Sequence, residues 1–217
     1  HENMDFRIIR GKIPIYSIDA TYMLDKTTGY IKLSRFAATT IDEFEEAVKK
    51  LQAQGMKDLI LDLQTNGGGY MGAAIGIADH LLDGRKMIVY TDGVDSGRRE
   101  EYSTPIGLLQ GGRVVVLIDG NSASASEIFA GAIQDNDRGT IVGRRSFGKG
   151  LVQQPIDFSD GSAIRLTIAR YYTPSGRCIQ RPYESGKDSK YEMDWLTRYE
   201  HGEFFSKDSI KLDESLR

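Results

Sequence analysis

Two residues of this chain have the types and the local settings that nucleophilic catalysis requires. Ser124 lies in the small-residue run Asn121–Glu127, which follows an apolar strand candidate. Lys149 lies between two glycines in a later loop. A hydroxyl group at a strand-to-helix turn and a lysine framed by glycines are typical of a nucleophile and its general base. The chain has one cysteine, Cys178, and three histidines, so a Ser/Lys pair is the economical interpretation if the protein is a hydrolase.

The residues alone do not choose among the three serines of that run, Ser122, Ser124 and Ser126. Serine and alanine at a helix start are often only N-caps and close-packing residues. A serine in this position also lies beside unpaired amides and roughly half a positive elementary charge. The structural and the catalytic interpretations both stay open at this point.

A second strand-to-helix turn contains three consecutive glycines, Gly67–Gly69, after the apolar run Leu59–Leu63. Glycines let the backbone approach a ligand closely, although such a turn is more often only a turn. In acyl transfer, amides aimed at the tetrahedral oxygen supply about 3 kcal/mol per donor. One amide of this turn and the amide of Ala125 would form such a pair.

A rival interpretation of the lysine is nucleotide binding. Gly143–Lys149 has the Gly-x4-Gly-Lys spacing that begins a phosphate-binding loop. Gly150, however, stands where the magnesium-binding serine or threonine belongs, and Leu151–Pro155 has the composition of a strand. Nucleotide binding is therefore the weaker alternative.

No Ser/His/Asp triad is indicated. His80 lies within a helical stretch, His201 lies in the irregular C-terminal part, and Asp62 lies within a buried strand. We interpret His80 as a helix-face residue and Asp62 as a structural carboxylate, and nothing in the sequence marks His201 as catalytic.

Composition excludes several function classes. A net charge of −3 gives no reason to expect a nucleic-acid partner. A lone cysteine rules out an intrachain disulfide and a cysteine-built zinc site, and we expect no metal and no cofactor. No apolar stretch approaches the ~20 residues that span a bilayer, so membrane association would need segments outside this chain.

The elements that must position these residues are those of an α/β domain. Helices are predicted at 40–55, 71–82 and 125–134, and strands at 28–36, 59–63, 87–90, 113–119, 140–143, 151–154 and 163–172. Thr40–Glu43 has the capping-box spacing, with Glu43 able to reach the Thr40 amide. Asp160-Gly161 predicts a tight turn before the last strand. The alternation predicts a largely parallel central sheet that ends in antiparallel strands.

In this order the motifs resemble the carboxyl-terminal processing proteases, also called tail-specific proteases. The resemblance covers residues 28–182. The matching segments are Gly29–Phe36, Leu59–Gly69, Asn121–Gly131, Val142–Gln153, Asp160–Thr167 and Ala169–Arg177.

The resemblance implies a role for each site residue. Ser124 would be the nucleophile, Lys149 the general base, and Gln153 the residue that orients the lysine. Ala125 and one glycine of the turn, Gly68 or Gly69, would supply the oxyanion amides. The turn differs from the commoner Asn-Pro-Gly-Gly form, so the choice of glycine stays open.

The chemistry of lysine agrees with this assignment. A free lysine with a pKa of ~10.4 is protonated at neutral pH and cannot accept a proton. Burial in an apolar site lowers that pKa by up to ~3–5 units. We expect Phe147 and the flanking glycines to enclose Lys149, and Gln153 to hold the amine as a neutral acceptor.

The resemblance also implies a fold and a domain organisation. The fold would be α/β, a crotonase/ClpP-like catalytic core with a central sheet, strand-turn-helix units and a polar C-terminal extension. We expect a cloning-derived leader at 1–4, the end of a PDZ domain at 5–14, the Ser/Lys protease core at 15–182 and a truncated C-terminal extension at 183–217.

The implied activity is serine-type endopeptidase cleavage near protein C-termini through an acyl-enzyme. The implied substrates are proteins or peptides with accessible C-termini, and the implied location is extracytoplasmic, in a bacterial periplasm or cell envelope. A homo-oligomer is compatible with this prediction. The alternative is a catalytically silent binding or scaffold module on the same fold.

Overall fold

The computed structural model describes residues 6, 15–183, 191 and 193–205, and it confirms the α/β class. In chain order the elements are β1 (Ile18–Met23), β2 (Thr28–Leu33), α1 (Thr40–Ala53), β3 (Asp58–Asp62), α2 (Met71–Leu81), β4 (Met87–Asp92), β5 (Arg99–Tyr102), β6 (Val114–Ile118), α3 (Ala125–Asp135), β7 (Thr140–Gly143), β8 (Leu151–Asp157), β9 (Ala163–Tyr172) and α4 (Asp194–Glu200). The predicted leader at 1–4 and most of the predicted PDZ remnant lie outside the described residues.

The first sheet has the strand order β1-β2-β3-β6-β7. β2, β3, β6 and β7 run parallel, and β1 pairs with β2 antiparallel. Strands that are covered by helices carry apolar side chains that lose contact with water. Leu59 and Leu61 of β3 and Val116 of β6 are accordingly buried. The β3–α2 and β6–α3 connections both leave the carboxyl ends of neighbouring parallel strands, so their turns meet at one edge of this sheet.

The antiparallel strands form a second sheet, with the order β5-β4-β9-β8. The largely parallel central sheet is confirmed, but the final antiparallel strands form a second sheet instead of the predicted extension of the first one. The Asp160-Gly161 turn joins β8 and β9 into a hairpin, and Gly161 has the left-handed φ of 85° that such a turn requires. β9 then pairs with β4, which joins the hairpin to β4 and β5 instead of to β7.

The start of α1 also differs from its prediction. The N-cap is Thr39, and Glu43 does not accept the Thr40 amide. The Glu43 carboxylate instead accepts the Thr39 hydroxyl over 2.7 Å, the Ser17 amide and hydroxyl over 2.8 and 2.9 Å, and the Ile18 amide over 3.2 Å. Glu43 thus links the start of α1 to β1.

The C-terminal part packs onto the loop that carries Lys149. Arg198 of α4 is buried, and its guanidinium donates to the Arg145 carbonyl over 2.7 Å. Glu203 pairs with Arg198 and with Arg145, at 2.8 and 3.2 Å. The predicted polar extension therefore contains a packed helix. Among the described residues, no helix is long and apolar enough to cross a membrane.

Candidate active site

Ser124 lies at the turn between β6 and α3, in an unusual backbone conformation. Its φ of 57° and ψ of −113° fall in a region that L-residues seldom adopt. Such a conformation costs about 1–3 kcal/mol and persists only where the surroundings impose it. The turn therefore holds Ser124 in a strained position at the N-terminus of a helix.

The structure separates the three serines of this run. The Ser122 hydroxyl donates to the Leu63 carbonyl over 2.8 Å, and the Ser126 hydroxyl donates to the Asn66 carbonyl over 2.9 Å. Both of these side chains are buried, whereas Ser124 is half-buried. Ser122 and Ser126 connect the two turns, and Ser124 alone faces solvent.

The glycine turn packs directly against the turn of Ser124. A Cβ atom added to Gly68 would lie 2.6 Å from the Ala123 carbonyl oxygen and 2.9 Å from the Ala125 nitrogen. The side chain of Asn66 holds this arrangement, because its Oδ1 accepts the Gly68 amide and its Nδ2 donates to the Leu33 carbonyl, each over 2.9 Å. Glycine at position 68 is therefore required by close approach as well as by its φ of 96°.

Two candidate oxyanion amides have no hydrogen-bond acceptor among the described residues. Within the described part of the chain, the N–H groups of Ala125 and Gly69 donate to no protein acceptor, whereas the Gly68 N–H is bound by Asn66. Ala125 is the first residue of α3, where the helix leaves N–H groups unpaired. Between the two glycines considered, the hydrogen bonds favour Gly69 as the free donor.

The structure explains why glycine occupies both positions next to Lys149. Gly148 has a φ of 84°, and a Cβ atom there would lie 2.8 Å from Arg181 Cβ. A Cβ atom on Gly150 would lie 2.3 Å from the Gln180 nitrogen. The loop leads into strand β8 and not into a helix, so the phosphate-binding alternative lacks the helix N-terminus that it requires.

The side chains of Lys149 and Gln153 do not form the predicted arrangement. Both are exposed, and in the described region Lys149 is hydrogen-bonded neither to Ser124 nor to Gln153. The ring of Phe147 faces the Arg181 guanidinium, which lies 4.8 Å from the ring centroid, and Lys149 stays exposed. The expected enclosed apolar site around Lys149 is thus absent from this conformation.

The backbones of the two residues nevertheless meet at Glu127. Its Oε2 accepts the Ser124 N–H and the Lys149 N–H, each over 2.8 Å. Two such bonds to one oxygen keep the two nitrogens within twice that distance of each other. Sequence reasoning missed Glu127; its only signal was the Ser-x-x-Glu spacing of a capping box, which indicates a bond to Ser124 but none to Lys149.

The contacts of Asp62 and His80 are those of structural residues. Asp62 accepts the Tyr30 hydroxyl over 2.6 Å and pairs with Lys32 at 3.1 Å. Burial and the neighbouring carboxylate raise the pKa of Tyr30 above its ordinary value. His80 packs on Phe44 of α1. No cluster of three metal-ligating side chains occurs among the residues that the structure describes.

The fold and this site define an α/β protein with a solvent-facing serine at a strained strand-to-helix turn. The family model "Peptidase family S41" matches residues 27–186. The chain therefore belongs to this peptidase family, which confirms the resemblance stated from the motifs.

Several relatives carry the name of carboxyl-terminal processing proteases. The chain is 43% identical over 153 residues to the chloroplastic carboxyl-terminal-processing peptidase 3 of Arabidopsis thaliana, covering 68% of this chain and 28% of the relative. It is 39% identical over 182 residues to the carboxy-terminal-processing protease of Bartonella bacilliformis, covering 82% and 41%. The chain thus spans less than half the length of these relatives.

A solved structure has the same fold. The photosystem II D1 C-terminal processing protease superimposes with a TM-score of 0.69 at 35% identity, covering 79% of this chain and 47% of that one. A putative S41 protease from Bacteroides fragilis, at 17% identity and a TM-score of 0.67, covers 84% and 54% and supports the fold alone.

Proposed function

We propose that this chain carries the catalytic core of a serine-type endopeptidase that cleaves proteins near their C-termini. The observation that carries the proposal is the setting of Ser124. Its half-buried side chain sits on a strained turn at the positive end of α3, beside the free amide of Ala125. The names of the relatives support the reaction class.

In the acylation step, the uncharged amine of Lys149 takes the proton of the Ser124 hydroxyl as the oxygen attacks the substrate carbonyl carbon. The carbonyl oxygen becomes an oxyanion, which the amides of Ala125 and Gly69 would receive. The Lys149 ammonium then returns the proton to the leaving amine as the peptide bond breaks. The acyl group stays on Ser124 as an ester.

In the deacylation step, water attacks the ester carbonyl while Lys149 accepts one of its protons. The new oxyanion uses the same two amides. Collapse of the intermediate breaks the ester bond, and the proton passes from Lys149 to the Ser124 oxygen. The second product leaves as a carboxylic acid, and the enzyme returns to its starting form.

This mechanism requires a change around Lys149, whose side chain is exposed. The amine must be uncharged to accept a proton, and enclosure away from water favours the uncharged form. We infer that substrate binding covers the lysine and turns its side chain towards Ser124. Gln153, which follows Lys149 in the sequence and lies in β8, would accept a hydrogen bond from the amine through its neutral side-chain amide.

The finer assignments follow from the same proposal. The substrates would be proteins or peptides with accessible C-termini, bound without a cofactor, and the protein would act in an extracytoplasmic compartment. A PDZ domain preceding the core would capture the substrate's C-terminus. Nucleic acid has no role in this chemistry.

A fluorophosphonate probe tests the dyad, because it reacts only with an activated serine. We expect mass spectrometry of the full-length protein to locate the adduct on Ser124. Ser124→Ala and Lys149→Ala should each abolish labelling and peptide cleavage. Ser122→Ala and Ser126→Ala should retain the adduct, because each removes only one of the two hydrogen bonds that the Leu63 or Asn66 carbonyl accepts.

Two outcomes would overturn the assignment. Full cleavage activity in Ser124→Ala or Lys149→Ala would exclude the Ser/Lys pair. Absence of any adduct in the wild-type protein would favour the catalytically silent scaffold, an alternative that the exposed Lys149 side chain favours.

A further inference from the structure

Glu127 is a buried carboxylate to which the proposed chemistry gives no role. Its two oxygens accept four hydrogen bonds. Oε1 accepts the Ser146 hydroxyl over 2.7 Å and the Gly148 N–H over 2.6 Å. Oε2 accepts the N–H groups of Ser124 and Lys149, each over 2.8 Å. Three of the four donors are backbone amides, and three belong to the loop that carries Lys149.

The electrostatics of this position suit an anion. Glu127 lies in the first turn of α3, where the unpaired amides and the helix dipole favour negative charge. No lysine, arginine or histidine pairs with its carboxylate within the part of the chain that the structure describes. Three backbone amides and one hydroxyl therefore stabilise the carboxylate, and the positions of these four donors fix its orientation.

We propose that Glu127 is the positioning residue that fixes the Lys149 loop relative to the Ser124 turn. The proposal rests on the proposed Ser/Lys function and deepens it. One oxygen shared by both backbones sets the spacing from which the two side chains must meet. The same bond to the Ser124 N–H holds that residue in its strained conformation.

The four-bond arrangement depends on a carboxylate of this length. A glutamine has one acceptor oxygen, and its NH₂ group would face two donors. An aspartate is shorter by one methylene and cannot reach both the turn and the loop. Glu127→Gln therefore keeps the buried volume while it breaks the arrangement.

The chain offers a matched control in Glu43. Its carboxylate also accepts four hydrogen bonds, but its described donors, Ser17, Ile18 and Thr39, lie at the starts of β1 and α1 and outside the candidate site. Glu43→Gln therefore shows how the loss of a carboxylate with four hydrogen bonds affects folding, without a direct effect on the site.

The test compares both variants with the wild-type, full-length protein in fluorophosphonate labelling of Ser124. For Glu127→Gln we expect the maximal labelling rate to fall about 100-fold, since a misplacement near 1 Å costs that much, while the probe concentration at half-maximal rate stays unchanged. Glu43→Gln should label at the wild-type rate. Amide hydrogen exchange should accelerate at Ser124, Gly148 and Lys149 in Glu127→Gln only.

Each outcome bears on the proposal. Wild-type labelling by Glu127→Gln, or an equal loss in both variants, would overturn it, and so would unchanged exchange at the three amides. If the wild-type protein itself is not labelled, the Ser/Lys function fails and the positioning role with it. Amide exchange then still reports whether the three backbone amides are bound to Glu127, so the two failures are told apart.

Discussion

The backbone N–H groups of Ser124 and Lys149 donate to one oxygen atom, Oε2 of Glu127. The two residues lie in different loops; the Lys149 side chain is exposed, and no hydrogen bond to Ser124 is present among the described residues. The two backbones are therefore held together at one atom, and the proposed Ser/Lys function additionally requires the lysine side chain to turn towards Ser124.

The strain at Ser124 is testable by comparing two substitutions that both remove the hydroxyl. Glycine adopts a φ of 57° without penalty, whereas alanine does not. We expect Ser124→Gly to be more stable than Ser124→Ala by about 1 kcal/mol. Urea unfolding followed by circular dichroism measures the difference, and equal stabilities would show that the turn is unstrained.

The glycine turn offers a second matched pair. In Gly68→Ala the new Cβ would collide with the Ala123 carbonyl, and the residue would keep an unfavourable φ of 96°. We expect a loss of about 2 kcal/mol in the free energy of unfolding, together with loss of labelling at Ser124. Gly67→Ala meets no atom within 4 Å and should be tolerated. Similar losses in both variants would contradict the close approach.

The C-terminal helix should stabilise the lysine loop. Arg198→Ala removes the bond to the Arg145 carbonyl and leaves Glu203 with one partner fewer. We expect faster amide exchange across residues 144–149 and slower labelling of Ser124. The control is Arg113→Ala, whose exposed guanidinium pairs with Asp58 elsewhere. An exchange pattern unchanged by Arg198→Ala would show that α4 does not support the loop.

Low pH should weaken the packing of α4 against the loop that carries Lys149. Burial by itself would raise the pKa of Glu203, but the hydrogen bonds and charges of Arg145 and Arg198 outweigh it and hold the pKa below its ordinary value of 4.5. A carboxyl group with a lowered folded-state pKa contributes stability above its unfolded pKa and loses it as the pH falls through the folded one.

The expected result is faster amide exchange in residues 144–149, after correction for the intrinsic rate, as the pH drops below 4.5. Glu203→Gln should remove this pH dependence. In this variant, amide exchange of the loop at neutral pH should be as fast as in the wild-type protein at acidic pH. A pH response that persists in Glu203→Gln would assign it to another carboxylate.

Much of the local structure could be predicted from residue patterns. The strand at Thr140–Gly143, the strand at Ala163–Tyr172 and the helix that begins at Met71 were predicted where they occur. Their apolar periodicity and their turn residues are local signals. The hairpin at Gly161 was predicted for the same reason, since a left-handed φ there needs glycine.

The pairing of strands could not be predicted in the same way. β8 and β9 join β4 in a separate sheet because backbone hydrogen bonds link residues such as Tyr90 and Tyr172, which lie far apart in the chain. The packing of Arg198 onto the loop at Arg145 is a contact of the same kind. Neither leaves a periodic signal in the sequence.

By itself, the sequence determined the family and the candidate residues, because ordered motifs and the residue types that chemistry needs are properties of the chain. Only the tertiary structure decided which serine faces solvent and which glycine amide is free. It also showed that Glu127 joins Ser124 to Lys149 and that the lysine side chain is exposed. Burial and hydrogen bonding depend on which distant segments meet, and only packing determines that.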